Sequence, residues 1–279
     1  MRVLPFFPPC LRLVRLSATL LRATMLDLAI LAGHLLLYPS GIAPERRSPA
    51  GPPTGAPLLP TAGLGHPPVV LLHGFIDNRS VFVVLRRSLS RHGWRHLESL
   101  NYSPLTCDIR AAADLLGRHI DEIRTRTGHR QVDIVGHSLG GLIARYYVQR
   151  LGGDTHVRTL VTLGTPHSGT LAAQLMSAHP VVRQMHPGSD VIEELRRPAP
   201  GCRTRFVSFW SDLDHAMIPA ETARLEHPDL IVHNVHVTGI GHLALPVHPA
   251  VAAGVRQALQ CGEEGVDAAP GTSGAVSVA

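Results

Sequence analysis

Residues 133–141, Asp-Ile-Val-Gly-His-Ser-Leu-Gly-Gly, constrain the fold of this chain more than any other stretch. They hold a Gly-x-Ser-x-Gly pentapeptide, Gly136, Ser138 and Gly140, between a short apolar run and a helical run. That order predicts a serine on a sharp strand-to-helix turn. The glycines let the backbone bend tightly enough for the Ser138 hydroxyl to project, while the first amides of the next helix point toward any negative charge that develops beside it. An isolated pentapeptide of this kind also arises in ordinary Gly-rich turns, so the flanks carry the argument. Residues 131–135 read as a buried strand, and Leu142, Ile143, Tyr146 and Tyr147 are spaced for one face of a helix over residues 139–151.

The chemistry that suits such a serine is acyl transfer. Its hydroxyl is too weakly acidic to attack an acyl carbon alone, so a base must take the proton and a carboxylate must orient that base. On a strand–turn–helix nucleophile these partners follow in the order acid, then histidine. Two stretches supply candidates just past strand-like runs: Asp212, Asp214 and His215 after residues 204–210, and Gly241-His242 after residues 231–237. The ends of strands are where sheet loops build active sites.

The whole central region alternates regularly. Strands are expected at residues 67–72, 96–100, 131–135, 158–163, 204–210 and 231–237. Helices are expected at 81–92, 109–126, 139–151, through 168–195, and at 250–260. Apolar strands alternating with helices predict an α/β fold with a mostly parallel central sheet covered on both faces. Residues 67–260 make one catalytic domain, and no internal repeat argues for two.

In residues 67–256 the chain resembles a bacterial lipase or esterase of the α/β-hydrolase superfamily. Leu71-Leu72-His73-Gly74-Phe75, the Gly-His-Ser-Leu-Gly turn, residues 163–170 (Leu-Gly-Thr-Pro-His-Ser-Gly-Thr) and Gly241-His242 stand in family order. The resemblance implies catalytic Ser138, Asp214 and His242, with Asp214 preferred over Asp212 because an apolar residue and Pro219 follow it. It also implies an oxyanion hole from the Phe75 and Leu139 backbone N–H groups, and a supporting, non-catalytic His167. His215, His236 and His248 are expected outside the site. A substrate pocket for an acyl chain is expected from Phe75, Ile76, Leu171, Leu175, Met217 and Leu243, with residues 171–195 as a small cap. The implied activity is hydrolysis of carboxylic esters, acylglycerols foremost. A thioesterase, an acyltransferase and a lipid-anchor deacylase share the same triad and stay open, and a non-catalytic lipid-binding homologue is the reading from another class.

No cofactor or metal is expected: the four cysteines are widely spaced, and the 18 histidines include no His-Glu-x-x-His. The net charge of +5 comes from arginines alone, scattered without a basic stripe, which argues against a nucleic-acid partner. A monomer is expected. Residues 1–43 carry arginines without acids up to Arg22, then an apolar stretch over 23–38 broken by Asp27 and His34. This reads as a targeting or membrane-associated helix. A span of about 20 apolar residues would have to include Arg22 and Asp27, at about 2.5 to 3.5 kcal/mol for each charge at mid-membrane. Insertion, an amphipathic helix lying on the membrane through residues 16–38, and a helix packed on the soluble domain are the three readings, and export or membrane association is the expected localisation. Residues 44–66 are a Pro/Gly-rich linker, and 261–279 read as a disordered tail.

Overall fold

The structure is a computed structural model that describes residues 21–22, 24–33, 36, 65–75, 77–102, 108–176, 179–261 and 276–278. Strands β1 (Val69–Leu72), β2 (Leu97–Leu100), β3 (Val132–His137), β4 (Val157–Leu163), β5 (Arg205–Ser211) and β6 (Ile231–Val237) form a parallel sheet in the order β2-β1-β3-β4-β5-β6. All six expected strands are present. A seventh, β7 (Val276–Val278), pairs parallel with β6. It lies where a disordered tail was expected, and the open edge of β6 with the β-branched Val276 and Val278 accounts for it.

The strands are buried on both faces, as their near-continuous apolar runs require. Val70, Leu72, Ile134, Leu160 and Phe206 face one core together with α3 (Ile109–Thr127) and α4 (Leu139–Arg150). The alternate residues Val69, Leu71, Val135, Val161 and Phe209 face the other with α2 (Val83–Arg91) and α7 (Pro249–Gln260). Because the strands all run parallel, every loop after a strand lies at one end of the sheet, which is where the site forms.

The helical region expected through 168–195 is instead a 3-10 turn over Leu171–Met176 and two short helices, α5 (Pro180–Gln184) and α6 (Asp190–Arg196). Pro180 is tolerated at the start of α5 because its missing N–H has no helical partner there, whereas Pro187 and Gly188 end any longer helix. Glu194 of α6 accepts Arg110 Nη2 at 2.8 Å and Tyr146 Oη at 2.6 Å, tying the segment to α3 and α4.

Residues 24–33 form a helix, α1. Its partly buried side, Asp27, Ile30 and Leu31, turns toward the domain, where Ile30 packs on the α2/α7 core. Leu21, Met25 and Leu28 are 64, 58 and 55 % exposed. Among the described residues no helix is long and apolar enough to cross a membrane. The Pro/Gly-rich stretch up to residue 64, Cys10 and Cys107 lie outside the described residues, while Cys202 and Cys261 are free thiols.

Candidate active site

Ser138 sits between β3 and α4 with φ 52° and ψ −120°, and among the described residues it has the one positive φ outside glycine. Such backbone is strained for a residue with a side chain and persists only where the surroundings impose it. Here the surroundings are close backbone contacts. A Cβ on Gly136 would lie 2.6 Å from Gly141 Cα, and one on Gly140 would collide with the Leu72 carbonyl oxygen, so α4 can start hard against β3 and β1 only on glycine. Thr165 Oγ1 donates to the Ser138 carbonyl at 3.0 Å and holds the turn from the β4 side.

His242 lies in the loop after β6 and donates Nδ1–H to Asp214 Oδ2 at 2.8 Å. Asp214 is 2 % exposed, and its other oxygen accepts the backbone N–H groups of Ala216 at 3.0 Å and Met217 at 3.2 Å. The carboxylate is thereby fixed on both sides. Burial lowers the His242 pKa, but the charge and hydrogen bond of Asp214, helped by Asp77 and Asp27, outweigh it and leave the imidazole above its ordinary value. Asp212 faces outward, 3.9 Å from His236 Nε2, so of the two rivals Asp214 is the one placed against His242.

Ser138, His242, Gly74 and Phe75 share the wall of a cavity of about 150 Å³. Its remaining lining is mostly apolar: Pro166, Ala172, Ala173, Val182, Met185, Met217 and Leu243 among others. The oxyanion candidates are placed by their elements. Leu139 is the first residue of α4, where helix N–H groups are free of helical partners, and Phe75 follows Gly74, whose Cβ position is 3.3 Å from Ser138 Cβ. His73 does not enter the cavity lining. It is buried, bonds Gly74 O at 2.9 Å and stacks on Tyr102 at 4.4 Å, while Tyr102 donates to the His73 carbonyl, so it fixes the shape of the loop.

Of the expected pocket residues, Phe75, Met217 and Leu243 line the cavity. Leu171 does not: it is 43 % exposed, and its backbone N–H is engaged by Ile218 O at 3.0 Å. The 3-10 turn, unlike a regular helix, presents Ala172 and Ala173 to the cavity instead. Ile76 and the Leu175 side chain lie outside the described residues.

His167 is buried at 3 % exposure behind the site. Its Nε2 meets Thr162 Oγ1 at 2.9 Å, and Arg145 donates to its carbonyl at 2.9 Å. Burial, then the Arg145 charge, hold its pKa well below the ordinary value, which keeps it neutral. His236 stacks on Trp210, His248 caps α7, and His215 is exposed.

Sequence reasoning missed Asp77, which lines the cavity, and its partner His137, whose Nδ1 lies 3.3 Å from Asp77 Oδ2 and whose ring is 4.7 Å from His242. The position of His137 inside the Gly-His-Ser turn was the available signal. Among the described residues no cluster of His, Cys, Asp or Glu could hold a metal ion.

Residues 67–185 match the model of a family described as the alpha/beta hydrolase fold. Similar solved structures include lipase B of Aspergillus fumigatus, at TM-score 0.63 and 17% identity over 72% of this chain and 55% of that one. Mature lipase BlEst2 of Bacillus licheniformis gives TM-score 0.60 and 18% identity over 78% of this chain and 96% of that one. The lin2722 gene product of Listeria innocua gives 0.56 and 15% over 77% and 99%. At these identities the likeness is one of fold, and together with the matched residues and the parallel sheet it shows that the chain has the α/β-hydrolase fold.

Proposed function

We propose that this protein is a carboxylic ester hydrolase acting through Ser138, His242 and Asp214, with acylglycerols as the substrate class. The observation that carries this reading is the His242–Asp214 pair at 2.8 Å, facing the apolar cavity that Ser138 also lines from a strained turn. The lipase names of two structural neighbours support it at the level of class.

In the first step His242 takes the Ser138 hydroxyl proton as Oγ attacks the acyl carbon. Asp214 stabilises the imidazolium that forms, and the Phe75 and Leu139 amides receive the oxyanion. The imidazolium then protonates the departing alcohol, leaving an acyl-enzyme. A water deprotonated by His242 attacks that ester, and collapse releases the acid and restores Ser138. The cavity wall of Ala173, Val182, Met185 and Leu243 suits an acyl chain. The outward Leu21, Met25 and Leu28 of the N-terminal segment support association with a lipid surface through residues 16–38.

The test is the initial rate on nitrophenyl esters of two to sixteen acyl carbons, using the full chain beside Ser138→Ala. Hydrolysis lost in the variant supports the reading, and a long-chain optimum supports acylglycerols. Equal, negligible rates in both proteins overturn it in favour of thioester substrates, acyl transfer or lipid binding.

A further inference from the structure

Asp27 is one of the two charges that make the N-terminal apolar stretch a poor membrane span, and its placement supplies a reason for it. Its carboxylate lies against Gly241, the residue before His242: a Cβ there would meet Oδ1 at 2.6 Å and Oδ2 nearer still. A side chain at position 241 would have to displace the Asp27 carboxylate. The Ala244 backbone N–H, two residues beyond His242, hydrogen-bonds the carboxylate, and Oδ1 is buried with no hydrogen-bond partner. One turn further on, Ile30 packs on the apolar cluster that includes Ile240, Ala244 and Leu245. The helix therefore holds the His242 loop through the Asp27 carboxylate while Ile30 anchors it on the neighbouring apolar core.

We propose that Asp27 is a positioning residue for His242: through α1 it clamps residues 241–244 and sets a further carboxylate, beside Asp214 and Asp77, facing the imidazolium that forms when His242 takes the Ser138 proton. The proposal rests on the ester-hydrolase reading for its catalytic consequence, though the coupling of Asp27 to His242 does not depend on it. The groups facing His242 are Asp214 from the loop after β5, Asp77 after β1, His137 at the end of β3, and Asp27; His215 acts on Asp27 in turn. Burial raises the Asp27 pKa, and the His242 charge and the Ala244 amide oppose that rise without cancelling it.

The experiment compares the full-length parent with Asp27→Asn and Asp27→Ala. Asn keeps an oxygen for the Ala244 N–H and removes only the charge, so it separates electrostatics from docking. In Asp27→Asn the acid limb of the kcat/KM profile moves to lower pH by about half a unit, kcat falls several-fold, and KM and Tm stay near those of the parent. Asp27→Ala shows the same pH displacement. A titration of the His242 ring by NMR, its signal identified by its loss in His242→Gln, moves in the same direction in Asp27→Asn whether or not the chain hydrolyses esters. A parent that titrates this way without Ser138-dependent hydrolysis sinks the ester-hydrolase reading and leaves the coupling standing. An unchanged His242 titration in Asp27→Asn overturns the proposal, as does a loss confined to Tm.

Discussion

Gly164 lies directly beside Asp214: a Cβ on Gly164 would come within 2.7 Å of the carboxylate Oδ2 and 3.0 Å of His242 Nδ1. Gly164 also has φ 53°, a conformation that costs an L side chain roughly 1–2 kcal/mol. Gly164→Ala is therefore expected to push the acid off the imidazole and to reduce kcat far more than the strain alone reduces stability. Activity and Tm measured on the same preparation check it, and a variant with parental kcat contradicts it.

Removing any one member of the set should nearly abolish turnover, because the three act as a unit. Ser138→Ala and His242→Ala are each expected to lower kcat by about 10⁴-fold or more. Asp214→Asn should approach that loss, since it leaves the ring in place but unsettles its tautomer. Asp212→Asn, at the exposed rival position, should retain parental rates. Steady-state kinetics on one nitrophenyl ester decide between Asp214 and Asp212.

The pH profile follows from the state of His242. Its pKa lies above the ordinary 6.5 because Asp214, with Asp77 and Asp27, outweighs burial. The base works when neutral, so kcat/KM should rise with pH through a midpoint above 6.5 and be lost below it. Replacing Asp77 with Asn should lower that midpoint. A parental midpoint at or below that of a free imidazole would contradict this account.

Ala173 is buried in the cavity wall, on the 3-10 turn rather than on the nucleophile helix. Ala173→Phe fills the space an acyl chain would use without touching Ser138, Asp214 or His242. Its kcat/KM on long-chain esters should fall by at least about tenfold relative to the two-carbon ester. A uniform loss at every chain length would place the acyl chain elsewhere.

Stability away from the site rests in part on one buried ion pair. Arg158 of β4 holds fully buried Asp133 of β3 through Nε at 3.0 Å and Nη2 at 2.6 Å, and the same Nη2 reaches the Leu259 carbonyl at 2.8 Å at the end of α7. Arg158→Ala strands a carboxylate inside the sheet and should destabilise the fold by about 3–5 kcal/mol. Asp133→Asn in the same background should restore part of that loss, because a neutral amide is cheaper to bury. Denaturant unfolding of the single and double variants measures both.

The sheet and the positions of the three candidate site residues at its loop end were legible in the sequence because each rests on a local pattern. Apolar runs of strand length, glycines around Ser138, and histidine and aspartate just past strand ends all follow from the conformation of a few consecutive residues. Where neighbours in space decide, the sequence was mute. The segment after residue 170 has the composition of a helix, yet Pro180, Pro187 and Gly188 divide it, and the resulting 3-10 turn sends Ala172 and Ala173 inward and Leu171 outward. The family resemblance favoured Asp214 over Asp212 through Pro219, but its contact with a histidine 28 residues away is visible only in the fold. Asp27 read as a flaw in an apolar stretch, because nothing local to residues 23–38 reveals that Gly241 leaves a gap of carboxylate size beside His242. Local sequence determined the strand–turn–helix chassis and singled out the candidate serine, aspartate and histidine. Only the packing of distant segments decided the shape of the cavity and the company His242 keeps, since side-chain contacts across a fold depend on three-dimensional proximity that no short-range periodicity encodes.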